Sequence, residues 1–90
     1  FKKIKNSIHV WGSPLALSSN LHLALSLESL LFFEIPQIEF DISNYMETKQ
    51  IILSNGYVSL DDTPGFGIEI NKNIKEKFKF VKGTEFNLKK

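Results

Sequence analysis

The sequence predicts an α/β fold on the basis of two observations. A short strand-like segment, a capped helix and an apolar strand follow one another within residues 4–36, which is the order of a parallel β-α-β unit. Further along, an Asn-Gly pair at residues 55–56 separates two strand-like runs, and this pair is typical of a tight antiparallel hairpin. We therefore expect one parallel unit with a right-handed crossover, followed by a segment of antiparallel character.

The first strand is predicted in the second half of Ile4–Trp11, a segment that mixes Ile, Val and Trp with polar residues. Ser13 can cap the free amides of a helix that starts at Pro14, where the missing N–H of proline costs nothing. The helix is predicted to run to about Leu27, with a broad apolar arc that packs on the sheet. The opposite side carries a stripe of small and polar residues that we expect to face solvent: Ser18, Ser19, His22 and Ser26.

The second strand, Leu30–Ile35, is apolar on both faces apart from Glu34. A carboxylate in such a strand is costly unless it is paired or used. Binding and catalytic groups collect at the C-terminal ends of parallel strands. His9 and Trp11 lie near the end of the first strand and Glu34 lies at the end of the second, so we expect these three side chains at one edge of the sheet.

Residues 37–90, here called the return segment, have a different character. Residues 37–49 show no sustained helical period and are predicted to form a loop with at most one turn of helix. The remaining elements are predicted in this order: a hairpin over 51–60, a turn-rich loop over 61–67, a strand over 68–70, a helix from Ile74 to Phe80 capped by Asn71 or Asn73, and an extended tail to Lys90.

Composition and charge narrow the class of protein. The 90 residues carry a net charge of +1 from 11 basic and 10 acidic residues mixed along the chain, which gives no electrostatic case for a nucleic-acid or membrane partner. The absence of cysteine excludes disulfides and thiolate metal sites. Polar residues interrupt the apolar stretch Leu21–Phe33, so it does not qualify as a membrane span. With no signal peptide recognised, we expect a cytoplasmic protein.

A single β-α-β unit cannot bury its own surfaces. It leaves one sheet face and two strand edges open, and burial is already poor in a chain of this size. Because the sequence also begins at Phe1 without a Met, we expect it to be part of a larger protein. The alternative is a truncated or split-gene product that acts as a non-catalytic structural or interaction module.

Three stretches in order resemble the C-terminal end of a mandelate racemase/muconate lactonizing enzyme family member, within the enolase superfamily. "HVWGSPLALSSNLHLALSL" resembles the seventh barrel strand and its helix, "LLFFEIP" the eighth strand, and "NGYVSLDDTPGFGIEIN" the closing segment with its hairpin. The resemblance covers most of residues 8–79. It implies the last two strands of a modified (β/α) TIM-type barrel with their connecting helix in residues 1–36, and a return segment over 37–90 that packs on an N-terminal α+β capping domain.

The resemblance also implies a chemistry, the removal of the proton next to a carboxylate with stabilisation of the enolate on Mg²⁺. His9 matches the seventh-strand histidine that acts as general acid/base, a role that suits a side chain titrating near neutral pH. Glu34 matches the eighth-strand acid that hydrogen-bonds the substrate carboxylate, and burial beside apolar residues favours the neutral, donating form. Trp11 is a candidate substrate contact, with packing as the other interpretation.

The complete protein implied by the resemblance is a Mg²⁺-dependent lyase, an acid-sugar dehydratase, or a related racemase, and a homo-oligomer. Its substrate is a small carboxylate, an acid sugar, whose identity the sequence leaves open because racemisation, dehydration and cycloisomerisation share the enolate step. In the family the metal carboxylates, the lysine base and the aspartate that orients the histidine lie on earlier strands. We therefore expect no metal ligand in this chain, and no activity from the chain without the rest of the barrel and the cap.

Overall fold

A computed structural model describes residues 4–82 of the chain. Lys2, Lys3 and most of the predicted extended tail lie outside the described residues. The elements are β1 Asn6–Ile8, α1 Pro14–Leu25, β2 Leu30–Phe33, a 3-10 helix Asp41–Tyr45, β3 Met46–Thr48, β4 Ile51–Ser54, β5 Tyr57–Leu60, β6 Ile68–Ile70 and α2 Lys72–Lys77. Within the described residues the strands form three two-stranded sheets, β1 with β2, β3 with β6, and β4 with β5. The predicted α/β class is thus confirmed as mixed helix and sheet.

The β-α-β unit forms with parallel strands, as predicted. β1 pairs with β2, with Ser7 opposite Phe32 and Ile8 opposite Phe33, after a shift in register between Asn6 and Ser7. Both strands end earlier than expected, at Ile8 and Phe33 rather than near residues 11 and 35. Both early ends have the same cause. The chain leaves β1 after Ile8 to enter the turn before α1, so β2 has no partner strand beyond Phe33.

Local hydrogen bonds fix both ends of α1. The Ser13 hydroxyl accepts a hydrogen bond from the Ala16 amide at 3.3 Å, and Pro14 occupies the first turn. At the other end the Ser26 hydroxyl donates to the Leu23 carbonyl at 2.6 Å, so the helix stops at Leu25 and not near Leu27. No helix within residues 4–82 is long and apolar enough to cross a membrane.

The prediction that the polar stripe of α1 faces solvent is wrong for Ser18 and His22, whereas Ser26 is exposed as predicted. Ser18 is completely buried, as are Leu21 and Ala24, whereas Leu23 and Leu25 of the expected apolar arc are each 52% exposed. α1 packs against β2 and also against β3 and β6 of the return segment. Polar side chains can line that second contact because the return segment offers them hydrogen-bond partners.

The segment before the hairpin holds a strand that the sequence did not predict. The 3-10 helix supplies the expected turn, but Met46–Thr48 forms β3 and pairs antiparallel with β6. Met46, opposite Ile70, is nearly buried, with 9% of its surface exposed. A three-residue strand with one apolar residue is too short to show an alternating pattern. Its pairing with β6 makes this segment a strand, and the local sequence does not.

The predicted hairpin and the short helix both form. Asn55 and Gly56 have positive φ angles of 50° and 78°, which a two-residue type I′ turn requires at both central positions. Of the two candidate caps, Asn71 caps α2, and its side chain accepts a hydrogen bond from the Asn73 amide at 2.9 Å. The helix therefore starts two residues earlier than predicted and ends at Lys77 instead of Phe80.

Gln50 ties the return segment to α1. Its side chain, in a residue that is only 2% exposed, donates to the Thr63 carbonyl at 2.6 Å and to the Gly65 carbonyl at 3.3 Å. The side-chain oxygen accepts from His22 Nε2 at 3.0 Å. The prediction that His22 is solvated is therefore wrong, since its ring joins α1 to the loop after the hairpin. Nearby, the Ser18 hydroxyl donates to the Phe66 carbonyl at 2.6 Å.

Replacing Gly67 with alanine is expected to destabilise the protein by about 2–4 kcal/mol. A Cβ at this position would lie 2.5 Å from Gln50 Cβ, and the backbone has a φ of +62°. Gly65→Ala is the matched control, because φ is similar at +66° but no atom lies within 4 Å of the added Cβ. We expect about 1–2 kcal/mol there. Urea denaturation followed by circular dichroism measures both, and equal losses would show that the contact with Gln50 is unimportant.

Candidate active site

The two predicted catalytic residues lie together at the ends of adjacent strands. His9 and Glu34 each follow the last register pair, Ile8 opposite Phe33, by one residue. Because side chains alternate along a strand, both belong to the sheet face that carries Ser7 and Phe32. His9 Nδ1 and Glu34 Oε2 lie 2.6 Å apart, which is a short hydrogen bond.

This pair does not contribute much to stability. The His9 side chain is 75% exposed and that of Glu34 is 55% exposed, and ion pairs at such sites are worth about 0–1 kcal/mol. Among residues 4–82, His9 Nε2 and Glu34 Oε1 make no hydrogen bond to the protein. The arrangement therefore presents one imidazole nitrogen and one carboxyl oxygen to an open face.

The apolar burial expected around Glu34 is not provided by the described residues. Phe32, on the same face, is 73% exposed, and the Glu34 side chain itself is more than half exposed. Desolvation strong enough to favour a neutral carboxyl group requires a cover over this face, because water otherwise stabilises the charged form. The sheet face with Ser7, His9, Phe32 and Glu34, here called the open face, has no such cover within residues 4–82.

Trp11 lies beside His9 and is 57% exposed. The indole and imidazole planes are nearly parallel, at 13°, with ring centroids 6.5 Å apart. Phe40 contacts the indole edge-on at a centroid distance of 5.2 Å and an angle of 88°. Sequence reasoning missed Phe40, since it lies in a stretch without periodicity and no local signal relates it to residue 11.

The described residues do not fit a metal ion. Within residues 4–82 no three His, Asp or Glu side chains are grouped closely enough to hold one. Glu47 and Glu69 face each other across β3 and β6, but Lys49 Nζ lies 3.3 Å from Glu69 and reduces the charge there. Asp61 stabilises a turn instead, since its carboxylate accepts hydrogen bonds from the Thr63 amide and side chain. These hydrogen bonds lower the pKa of the Asp61 carboxyl group.

Comparison with known proteins places the chain in a family. A family model described as enolase C-terminal domain-like matches residues 2–74, well over half of the 90 residues. Neither the curated proteins nor the solved structures gave a significant match. The matched range includes the parallel unit with His9 and Glu34, the hairpin and β6. The predicted membership is confirmed, and the chain belongs to the enolase C-terminal domain-like family, part of a superfamily of metal-dependent enzymes.

Proposed function

We propose that this chain supplies the last two strands of a barrel enzyme that removes the proton next to the carboxylate of a small acid. An acid-sugar dehydratase, or a related racemase, fits this role. The observation that carries the proposal is the 2.6 Å contact between His9 Nδ1 and Glu34 Oε2 at the same end of two parallel strands. A base and an acid held this close on an open face are the groups that such a reaction needs.

The two atoms of the pair that do not take part in its hydrogen bond, His9 Nε2 and Glu34 Oε1, are assigned the roles of base and hydrogen-bond donor. With Nδ1–H donated to Glu34 Oε2, the unbonded Nε2 of His9 is free to accept the proton from the substrate carbon. Glu34 Oε1 then donates a hydrogen bond to the substrate carboxylate as that group gains negative charge. For Glu34 to donate this bond its carboxyl group has to carry a proton, because two ionised carboxylates side by side repel each other.

Dehydration uses the same proton twice. His9 takes the proton from the carbon next to the carboxylate, and the electron pair moves onto the carboxylate group. When the neighbouring C–O bond breaks, the departing hydroxyl takes the proton from His9 Nε2 and leaves as water. In racemisation the carbon instead receives a proton on its other face, which would come from an acid outside this chain, such as the lysine that the resemblance implies on an earlier strand. His9 and Glu34 serve the proton abstraction in both outcomes, so the substrate and residues outside this chain decide between them.

The remaining parts of the enzyme are proposed to come from outside this chain. Since residues 4–82 do not fit Mg²⁺, its ligands would lie on other strands of the barrel. The exposed apolar side chains of the parallel unit support further protein there, because Ile4 is 69% and Leu31 is 49% exposed in addition to Phe32. The capping domain would be a second such partner, and the chain without them would be inactive.

The same exposed surface favours a second candidate, a non-catalytic module that binds a partner or itself. Size-exclusion chromatography with circular dichroism on the isolated chain separates the two. A defined oligomer or a specific complex that lacks the other barrel strands supports the module. A chain that folds only with the rest of the barrel supports the enzyme.

Removal of the metal is expected to abolish turnover. The complete protein is incubated with a panel of acid sugars and Mg²⁺, and loss of substrate is followed by NMR. Chelation with EDTA should stop the reaction and added Mg²⁺ should restore it, because the enolate needs strong positive charge. Analogues with a methyl group in place of the abstracted hydrogen are the control. Turnover that survives chelation, or turnover of the methyl analogues, would contradict the proposal.

A further inference from the structure

We propose that Phe40, acting through Trp11, positions the His9 imidazole for proton transfer. This inference rests on the proposed function, since it concerns the geometry of that same pair. It assigns Trp11 to orientation of the imidazole instead of contact with the substrate. It also gives the return segment a role in the site, because Phe40 belongs to that segment.

The orientation of the His9 ring depends on side-chain contacts, and those within residues 4–82 act in addition to the aspartate that the resemblance implies on an earlier strand. β1 ends at Ile8, so the backbone of His9 is no longer held by the strand ladder, and the side chain is 75% exposed. An exposed imidazole samples several rotamers, and only some of them put Nδ1 against Glu34 and leave Nε2 facing outward. The hydrogen bond to Glu34 fixes one atom of the ring but leaves the plane of the ring free to rotate about that contact.

Among residues 4–82, Trp11 restrains the plane of the ring. The indole is nearly parallel to the imidazole, and the 6.5 Å centroid separation lies within the range of offset aromatic stacking, about 4.5–7 Å. A flat indole on one face of the imidazole disfavours rotation of the imidazole out of this plane. With the other contact at Glu34, the ring is restrained from two directions.

Phe40 in turn restrains Trp11, which is itself 57% exposed. The two rings meet edge to face at 5.2 Å, a favourable geometry for aromatic pairs. Phe40 caps the 3-10 helix, and its carbonyl accepts a hydrogen bond from the Ser43 amide at 2.8 Å. The other end of that helix is anchored by the edge contact of Tyr45 with Phe78 at 5.7 Å. Contacts therefore run without a break from Phe78, the residue that follows α2, to His9.

The test compares Phe40→Leu and Trp11→Leu in the complete enzyme. Each is expected to lower kcat about 10- to 100-fold with KM nearly unchanged, because misplacement of a catalytic group by about 1 Å has effects of this size. Phe40→Tyr keeps the ring and should retain most of kcat. In a Trp11→Leu background, Phe40→Leu should have little further effect, since Phe40 acts through the indole.

Phe66→Leu is the matched control. Phe66 contacts the other histidine, His22, at 5.2 Å and 76°, so it makes the same type of contact away from the pair. NMR of the histidine ring protons reports both sites once the signals of the two histidines of this chain are assigned with His9→Asn and His22→Asn. Phe40→Leu should shift the His9 signals and leave those of His22 in place, and Phe66→Leu should do the reverse with unchanged kcat.

Three results would overturn the inference: His9 signals unaffected by Phe40→Leu, a loss confined to KM, or a full additional loss in the Trp11→Leu background. The ring signals are independent of the reaction. If His9 proved dispensable for turnover but its signals still moved in Phe40→Leu, the proposed function would fail and the structural coupling would stand. If His9 were essential and its signals did not move, only the positioning role would fail.

Discussion

Replacing His9 with asparagine in the complete enzyme is expected to lower kcat by about 10²- to 10⁴-fold, the usual contribution of a general acid or base. Asparagine can keep a hydrogen bond toward Glu34, which lies 2.6 Å from the imidazole, but it cannot accept and return a proton. In the proposed dehydration His9 first removes the proton from the carbon and then delivers it to the departing hydroxyl. Both proton abstraction and loss of water should therefore be affected. Steady-state kinetics with saturating substrate measure the change.

The second histidine provides the control for this experiment. His22 lies on α1 and bonds to Gln50 at 3.0 Å, away from the pair. His22→Asn removes the Nε2 donor to Gln50, but this change is remote from the pair, so we expect kcat within about twofold of the original, since such a change leaves the geometry of the site intact. Near-normal turnover in His9→Asn would remove His9 from the reaction. A loss in His22→Asn as large as in His9→Asn would point to the fold and not to chemistry.

Replacing Glu34 with glutamine is expected to lower kcat by about 10²- to 10³-fold, which is the size of effect expected when the stabilisation of developing negative charge is weakened at one position. Glutamine has the same shape and still offers hydrogen bonds to His9 and to a carboxylate. Its amide is a much weaker acid than a protonated carboxyl group, so it shares no proton with the substrate as charge develops. The loss should therefore appear mainly in kcat, with a smaller effect on KM.

Glu69→Gln is the matched control for this substitution. Glu69 is also an exposed glutamate with one side-chain hydrogen-bond partner, Lys49 at 3.3 Å, but it lies on β6 in a different sheet. We expect no change in kcat and at most a small loss of stability, since exposed pairs contribute about 0–1 kcal/mol. If Glu34→Gln behaved like Glu69→Gln, the carboxyl group at the end of β2 would have no part in catalysis.

Local signals in the sequence predicted the elements that depend on neighbouring residues. Ser13 and Pro14 marked the start of α1, and Asn55-Gly56 marked the hairpin, because in each case the chemistry of two residues dictates the backbone. β3 could not be predicted in this way, since Met46–Thr48 becomes a strand only through its pairing with β6. The prediction of which side of α1 is buried was also wrong, because the periodicity argument places every polar side chain on the solvent side.

The buried polar face of α1 shows why that assumption failed. Ser18 can be fully buried because its hydroxyl donates a hydrogen bond to the Phe66 carbonyl of the return segment. His22 Nε2 likewise donates a hydrogen bond to the Gln50 side chain. Such partners come from residues about 30–50 positions along the chain, and no window of the sequence reveals them.

In the candidate site too, some contacts could be predicted from the sequence and others could not. His9 and Glu34 could be brought together from the sequence, because neighbouring parallel strands end at one edge and their last residues share a face. Phe40 could not, since it reaches Trp11 only after the return segment folds back toward the parallel unit. The apolar surroundings expected for Glu34 are not found among residues 4–82, where its side chain is 55% exposed.

Solvent exchange at the substrate carbon tests the central claim most directly. The complete enzyme is incubated in D₂O with a carboxylate that it turns over, and deuterium next to the carboxylate is followed by NMR in recovered substrate or in product. We predict that the original enzyme incorporates deuterium at this carbon and that His9→Asn and Glu34→Gln each slow it about 100-fold or more. Exchange at the original rate in both variants would contradict the account, because the proton would then be handled without the paired side chains of β1 and β2.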